Sequence, residues 1–93
     1  MRKEISITPD ENNHVETLFR KYNSYLSMLE YFANLPAMRE SDTYDKKWNE
    51  AVDIGMELEK AKRAIEFKYK PAGNWEGYEF DFDKRQVIFY NDT

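Results

Sequence analysis

Cysteine is absent from this chain of 93 residues, and His14 is its only histidine. Without cysteine there is no disulfide and no thiolate metal site, so a reducing cytoplasm is the expected location. No nucleophile, orienting carboxylate or metal partner is specified near His14, which is typical of a histidine on a helix surface. The three glycines are scattered, so there is no glycine-rich phosphate loop. We therefore predict no catalytic residue, no metal and no cofactor. An enzymatic function remains an alternative only if the active site forms in an oligomer.

The chain also lacks a long apolar run and an excess of basic residues. No stretch approaches the roughly 18–20 apolar residues of a membrane span, and the opening residues MRKEISIT are not typical of a signal peptide. The formal net charge is −4, which disfavours direct nucleic-acid binding because phosphate contacts need concentrated lysine and arginine. The same charge permits binding to a basic protein surface, although it is also typical of an ordinary globular domain.

Apolar residues recur at helical spacing over residues 8–35. They follow alternating steps of three and four residues, and three further positions widen the stripe: Val15, Leu18, Tyr22, Tyr25, Leu29 and Phe32, then Phe19, Leu26 and Ala33. Thr8, Pro9 and Glu11 match an N-cap, a first-turn proline and the last residue of a capping box. Pro36 marks the end, because the residue before a proline avoids the helical conformation. One long amphipathic helix is predicted here.

A second helix is predicted over residues 41–69, after a short polar connector. Its stripe holds small residues where the first helix has aromatic ones, and comprises Tyr44, Trp48, Ala51, Gly55, Leu58, Ala61 and Ile65, flanked by Val52, Ile54 and Met56. Glycine costs roughly 1 kcal/mol relative to alanine inside a helix, so close approach of an aromatic ring is the expected reason for Gly55. Large side chains facing small ones favour an antiparallel pair of helices, each about 40 Å long.

Two further stretches have the two-residue alternation of β-strands. Residues 2–7 predict a short edge strand, and residues 75–91 predict a β-hairpin. The sequence Asp83–Gln86 lacks the glycine of a two-residue hairpin turn, so a longer or bulged loop is expected. A lone hairpin is marginal in water, so the N-terminal strand should join it. The prediction is one α+β domain over residues 1–93, with a long antiparallel two-helix hairpin packed on a small three-stranded antiparallel sheet.

Two groups of residues compete as the binding surface. Aromatic residues in excess of the helical seam give four candidate anchors for a partner protein: Trp75, Tyr31, Tyr69 and Tyr90. For Trp75 the alternative is a structural role as a cap over the core. The hairpin also carries an acidic row that comprises Glu76, Glu79, Asp81 and Asp83. The alternation with aromatic residues explains these carboxylates as the solvent-exposed side of a half-buried strand. The alternatives are that they mimic the phosphates of a nucleic acid and bind a basic partner, or that they bind a cation.

Three stretches together carry a resemblance to a known class of proteins: ISITPDE, VETLFRKYNSYLSMLE and NWEGYEFDFDKRQVIF. Their order resembles that of small bacterial accessory proteins encoded beside systems that modify Cys-repeat ribosomal peptides. The chain departs from that class in lacking cysteine and a compact tryptophan cluster, and in having a more basic second helix. The resemblance implies an accessory, partner-binding role and carries over no functional residue.

The function expected from the sequence is a non-catalytic, protein-binding accessory module, in the setting of peptide modification if the resemblance holds. The alternative is a phage-type inhibitor, similar in size and charge to anti-CRISPR proteins, that presents an acidic surface to a nucleic-acid-binding protein. The expected partner is another protein rather than nucleic acid or a membrane, and a homodimer is a further option.

Overall fold

Residues 1–92 are described by a computed structural model, in which the helices and strands follow in the order β-α-α-α-β-β. The elements are β1 (Arg2–Ser6), α1 (Pro9–Ala33), α2 (Pro36–Arg39), α3 (Asp42–Tyr69), β2 (Gly77–Asp81) and β3 (Gln86–Tyr90). The predicted α+β fold is confirmed, because two long helices pack together and the three strands form one antiparallel sheet. The connector differs from the prediction: it contains the single helical turn α2, which begins at Pro36, a favoured first residue of a helix.

The chain forms two compact units, and both long helices contribute to each. We call residues 17–59 the helical unit, and residues 1–16 with the chain from Lys60 onward the sheet unit. The beginning of α1 lies in the sheet unit and has the predicted capping box. The backbone amide of Glu11 donates to Thr8 Oγ1 at 3.1 Å, and the amide of Thr8 donates to Glu11 Oε1 at 2.9 Å. In the helical unit, α3 is capped by Ser41, whose Oγ accepts from the amide of Tyr44 at 3.2 Å.

In the sheet unit, β3 is the central strand, with β1 and β2 as its edges. On the inner face, Phe89 is paired with Tyr78 on one side and with Lys3 on the other. The rings of Trp75 and Phe89 make an edge-type contact, with 6.2 Å between centroids, and the indole N–H of Trp75 donates to the carbonyl of Pro71 at 3.1 Å. Phe89 of β3 therefore lies at the centre of an aromatic core. Because β3 has a neighbouring strand on each side, neither of its edges is exposed.

The outer face of the sheet is less open than alternation suggests. Ile88 points to this face and is nevertheless buried, with Glu4 and Glu79 as its neighbours on the two adjoining strands. Tyr90 lies over Gly77 on the same face, and a β-carbon at Gly77 would meet the tyrosine hydroxyl at 2.5 Å. Glycine at this position therefore makes room for a ring from the neighbouring strand.

Four residues connect β2 to β3, in agreement with the predicted longer loop. The aspartate that stabilises the turn is Asp81, whose Oδ1 accepts from the amide of Lys84 at 3.0 Å. Arg85 closes the loop with φ of 55°, a left-handed conformation that non-glycine residues rarely adopt. The loop is anchored to the beginning of α1, because the side-chain amide of the buried Asn12 donates to the carbonyl of Phe82 at 3.1 Å.

A second set of side-chain contacts joins the two helices within the sheet unit. Lys68 Nζ donates to Glu11 Oε2 at 2.8 Å, and the hydroxyl of Tyr69 donates to Glu11 Oε1. Burial raises the pKa of Glu11, but the hydrogen bonds from Lys68, Tyr69 and Thr8 outweigh it and lower that pKa from 4.5 to about 2. The same contact with Glu11 raises the pKa of Lys68. The charged form of this carboxylate is therefore stabilised by folding.

This network predicts a loss of stability in acid. Because the folded pKa of Glu11 lies below the unfolded value, its contribution is complete above about pH 4.5 and fades as the pH falls towards 2. Glu11→Gln should lower the free energy of unfolding by about 1–2 kcal/mol at pH 6, after allowance for solvent screening, and by much less at pH 2.5. Urea titrations at both pH values test this, with the exposed Glu57→Gln as control. Equal losses at both pH values would refute the assignment.

Candidate protein-binding surface

The helical unit is an antiparallel pair of helices whose seam is closely packed. A β-carbon built on Gly55 would lie 2.9 Å from Cε1 of Tyr22, so the tyrosine ring rests directly on the α3 backbone. One turn further along α1, the hydroxyl of Tyr25 donates to Glu50 Oε2 at 2.9 Å. As the residue number rises along α1, the contacting residues of α3 have lower numbers, so the two helices are antiparallel. The predicted reason for Gly55 is thereby confirmed.

One side of this seam is closed by polar side chains. Glu50 accepts from Tyr25 and also from Lys47, whose Nζ lies 3.2 Å from Oε2. The hydrogen bond from Tyr25, followed by that from Lys47, lowers the pKa of Glu50, and the bond to Glu50 raises the pKa of Tyr25. These groups satisfy one another at the rim of the seam. This side therefore presents a hydrogen-bonded polar edge.

The other side of the seam exposes large apolar side chains. Three of them directly follow a residue of the seam and are rotated from it by about 100° in the same sense: Phe19 after Leu18, Val52 after Ala51 and Met56 after Gly55. Trp48 lies one turn before Val52, and Leu26 lies two turns beyond Phe19. We call this set the apolar face, and it comprises Phe19, Leu26, Trp48, Val52 and Met56. Half of the surface of Trp48 and two thirds of that of Met56 (50% and 67%) are exposed to solvent. Trp48 was predicted to lie in the seam, and the structure places it at the margin.

Helix geometry brings these residues to one face of the pair. In a pair of antiparallel helices, the residue that directly follows a seam residue points to the same side of the pair on both helices. Tyr22 lies beside Gly55 and Tyr25 beside Glu50, so Phe19 is level with Met56, and Leu26 lies between the levels of Trp48 and Val52. The apolar face therefore forms a strip on one side of both helices.

The strip has a neutral middle and one acidic end. No residue from Tyr22 to Leu29 is charged, although 34% of the whole chain is. At one end, Glu30 lies one turn beyond Leu26, and Asp45 lies one turn before Trp48. At the other end, Glu59 and Lys60 both lie one turn beyond Met56, so that end carries charges of both signs. The helical unit as a whole carries eight acidic residues against five basic ones.

The four aromatic anchors predicted from the sequence are not brought together. Tyr31 is well exposed on α1 in the helical unit, and the other three belong to the sheet unit. There Trp75 packs on the core, Tyr69 donates to Glu11, and Tyr90 covers Gly77 while remaining exposed. Each of these three therefore has a structural contact that accounts for its presence.

The predicted acidic row is spread over β2 and its flanking loops. Glu79 and Asp81 share the outer face of β2, Glu76 precedes the strand, and Asp83 is exposed in the turn. Asp81 is committed to the amide of Lys84. Within residues 1–92, no group of three or more histidine, aspartate or glutamate side chains is arranged to hold a metal ion. The row is thus a charged sheet surface.

The apolar face was missed by the sequence reasoning, although a signal for it was present. Adjacent apolar pairs such as Leu18–Phe19, Tyr25–Leu26 and Ala51–Val52 make a stripe wider than a single seam can cover. A wide stripe predicts either a third layer over the helices or an exposed surface. In the helical unit these second members of the pairs remain exposed.

Comparisons with protein-family models, with curated proteins and with solved structures give no match to this chain. Among the described residues, neither long helix has an apolar stretch sufficient to cross a membrane.

Proposed function

We propose that this protein is a non-catalytic accessory module that binds another protein through the apolar face of its helical unit. The observation that carries the proposal is the exposure of Phe19, Leu26, Trp48, Val52 and Met56 on one side of the helix pair. Tryptophan, phenylalanine and methionine are enriched in the centres of protein interfaces, and charged residues are depleted there. The uncharged middle of the strip has this composition.

The energetics of the strip support a binding role. Removing apolar surface from water stabilises by about 25 cal/mol per Å², so covering five large side chains contributes several kcal/mol. Scattered exposed apolar residues are normal on proteins, but contiguous ones rimmed by polar groups are characteristic of interaction sites. Phe67, in the sheet unit, is more exposed than any of them at 90%, and it serves as an isolated comparison residue.

The second candidate is the inhibitor that presents an acidic surface to a nucleic-acid-binding protein. It is favoured by the surplus of acidic residues in the helical unit and by the exposed carboxylates of Glu79 and Asp83 on the sheet unit. The two candidates differ in what binding requires. A charge-driven contact weakens steeply with salt, because exposed charges are screened beyond about 8–10 Å, whereas burial of apolar side chains survives added salt.

Trp48→Ala should lower the affinity for a native partner by about tenfold or more, because a half-exposed tryptophan at the centre of an interface is a typical hot spot. Immobilised wild-type protein and its variants would be compared for capture from a host lysate, with quantitative mass spectrometry. Binding constants of the recovered partner would then be measured at low and high salt.

Phe67→Ala is the matched control, since it removes an exposed aromatic ring outside the apolar face, and it should leave capture unchanged. Tyr31→Ala tests the anchor predicted from the sequence. The proposal fails if Trp48→Ala retains the partner. If capture is instead lost when Glu79, Asp81 and Asp83 are changed to their amides, and is salt-sensitive, the inhibitor becomes the better description.

A further inference from the structure

We infer that Met56 is an oxidation site, and that conversion of its thioether to the sulfoxide weakens binding by the apolar face. This inference rests on the proposed function, because it names a modification of the same surface. It depends on three observations: the sulfur chemistry of the chain, the exposure of Met56, and the position of Met56 among the apolar side chains.

Methionine is the only sulfur-containing residue type in this chain, which has four methionines and no cysteine. In most proteins a cysteine thiolate is the group that a peroxide oxidises first. Without cysteine, mild oxidation by a peroxide acts on methionine, whose thioether sulfur is soft and polarizable. The accessibility of each sulfur then decides which methionine reacts first, because the oxidant arrives through the solvent.

Exposure distinguishes Met56 from the other methionines of the helices. Met56 is 67% exposed on α3, whereas Met28 on α1 and Met38 on α2 are partly buried. Met1 is as exposed as Met56, but it belongs to the sheet unit, and the apolar face belongs to the helical unit. Oxidation should therefore reach Met56 before Met28 and Met38, and Met56 is the exposed methionine of the apolar face.

Met56 lies where a change of polarity affects the proposed contact. It is level with Phe19 of α1 and one turn beyond Val52 of α3. A partner that covers these side chains removes an apolar thioether from water, which is favourable. The sulfoxide is a polar group that accepts hydrogen bonds, and burying it among apolar side chains without a donor is unfavourable. Oxidation of Met56 therefore opposes binding.

The reaction is a two-electron oxygen transfer from a peroxide to the thioether. The sulfur of Met56 attacks one oxygen of hydrogen peroxide, the O–O bond breaks, and the sulfur keeps that oxygen. The sulfur is oxidised and the peroxide is reduced to water. Two thiols reverse the change in the reaction catalysed by methionine sulfoxide reductases, in which the oxygen leaves as water and the thiols form a disulfide.

Limited oxidation of the full chain tests the inference. After treatment with hydrogen peroxide, peptide mapping by mass spectrometry would measure the oxidised fraction at each methionine. Met56 should react at least about fivefold faster than Met28 and Met38, because its sulfur is the more accessible. The oxidised protein should have an affinity about tenfold lower for the partner that the wild type captures. Its midpoint of urea denaturation should be unchanged, because an exposed side chain contributes little to stability.

Two variants separate Met56 from the other methionines. Met56→Leu keeps an apolar side chain of similar size and has no sulfur, so it should bind as the wild type does. Its affinity should also be unchanged by peroxide, although Met1 is still oxidised. Met56→Gln introduces a polar side chain and should lower the affinity about tenfold without any peroxide. Methionine sulfoxide reductases with dithiothreitol should restore binding by the oxidised wild type.

Three results would overturn the inference: oxidation of Met28 or Met38 as fast as that of Met56, peroxide sensitivity that persists in Met56→Leu, or full affinity of the oxidised protein for a partner that Trp48→Ala has lost. In the third case the protein-binding function stands, and only the role of Met56 is wrong. If Trp48→Ala captures the same proteins as the wild type, the proposed function fails and the inference fails with it.

Discussion

Phe89→Ala is expected to lower the free energy of unfolding by about 3–5 kcal/mol. Phe89 is 1% exposed in the central strand, and its ring contacts Trp75 and Tyr78 at centroid distances of 6.2 and 6.1 Å. Removing the ring loses the free energy of its burial. It also leaves a cavity between Trp75 and Tyr78, which are held in place by the loop and the strand that carry them. Small domains have a free energy of unfolding of about 5–15 kcal/mol, so this single substitution removes a large part of the stability.

Phe67→Ala is the control with the same chemical change and the opposite environment. Phe67 is 90% exposed on α3, and alanine has the better helix propensity. Loss of the Phe67 ring should therefore change the free energy of unfolding by no more than about 0.5 kcal/mol. Both variants would be measured by urea denaturation followed by circular dichroism. Comparable destabilisation by the two substitutions would show that the aromatic core around β3 is wrongly placed.

Local signals in the sequence account for most of the fold. Thr8, Glu11 and Ser41 specify helix ends through hydrogen bonds to amides a few residues away, so neighbouring residues suffice to predict them. The alternation in β2 and β3 specifies strands for the same reason. The short helix α2 was not predicted, because one turn beginning at Pro36 has no periodic pattern to distinguish it from a loop.

The candidate site was harder to predict because exposure depends on what covers a residue. Trp48 and Val52 are apolar and lie at helical spacing, so the pattern alone assigns them to the core as readily as to a surface. Trp75 has the opposite character: a loop tryptophan is typical of a binding anchor, yet here it packs on Phe89 and donates to Pro71. Only the tertiary neighbours distinguish the two tryptophans.

Gly55→Leu is expected to destabilise the helical unit by about 1–3 kcal/mol, although leucine is the better helix former by almost 1 kcal/mol. A β-carbon at this position would lie 2.9 Å from Cε1 of Tyr22, closer than carbon atoms approach without displacement. A leucine adds three more carbons in the same direction. The tyrosine ring must move away, and the seam between α1 and α3 must open around it.

Chemical denaturation of three variants separates overpacking from other effects of the new side chain. Ala64→Leu adds the same side chain at an exposed position of α3 and should be nearly neutral. In the double variant with Tyr22→Ala, Gly55→Leu should cost less than it does alone, because the added carbons occupy the space that the ring has left. The resulting coupling energy should be about 1 kcal/mol or more in favour of the double variant. If Gly55→Leu is instead as stable as the wild type, or if the two changes are additive, the close contact between Tyr22 and the α3 backbone does not exist in solution.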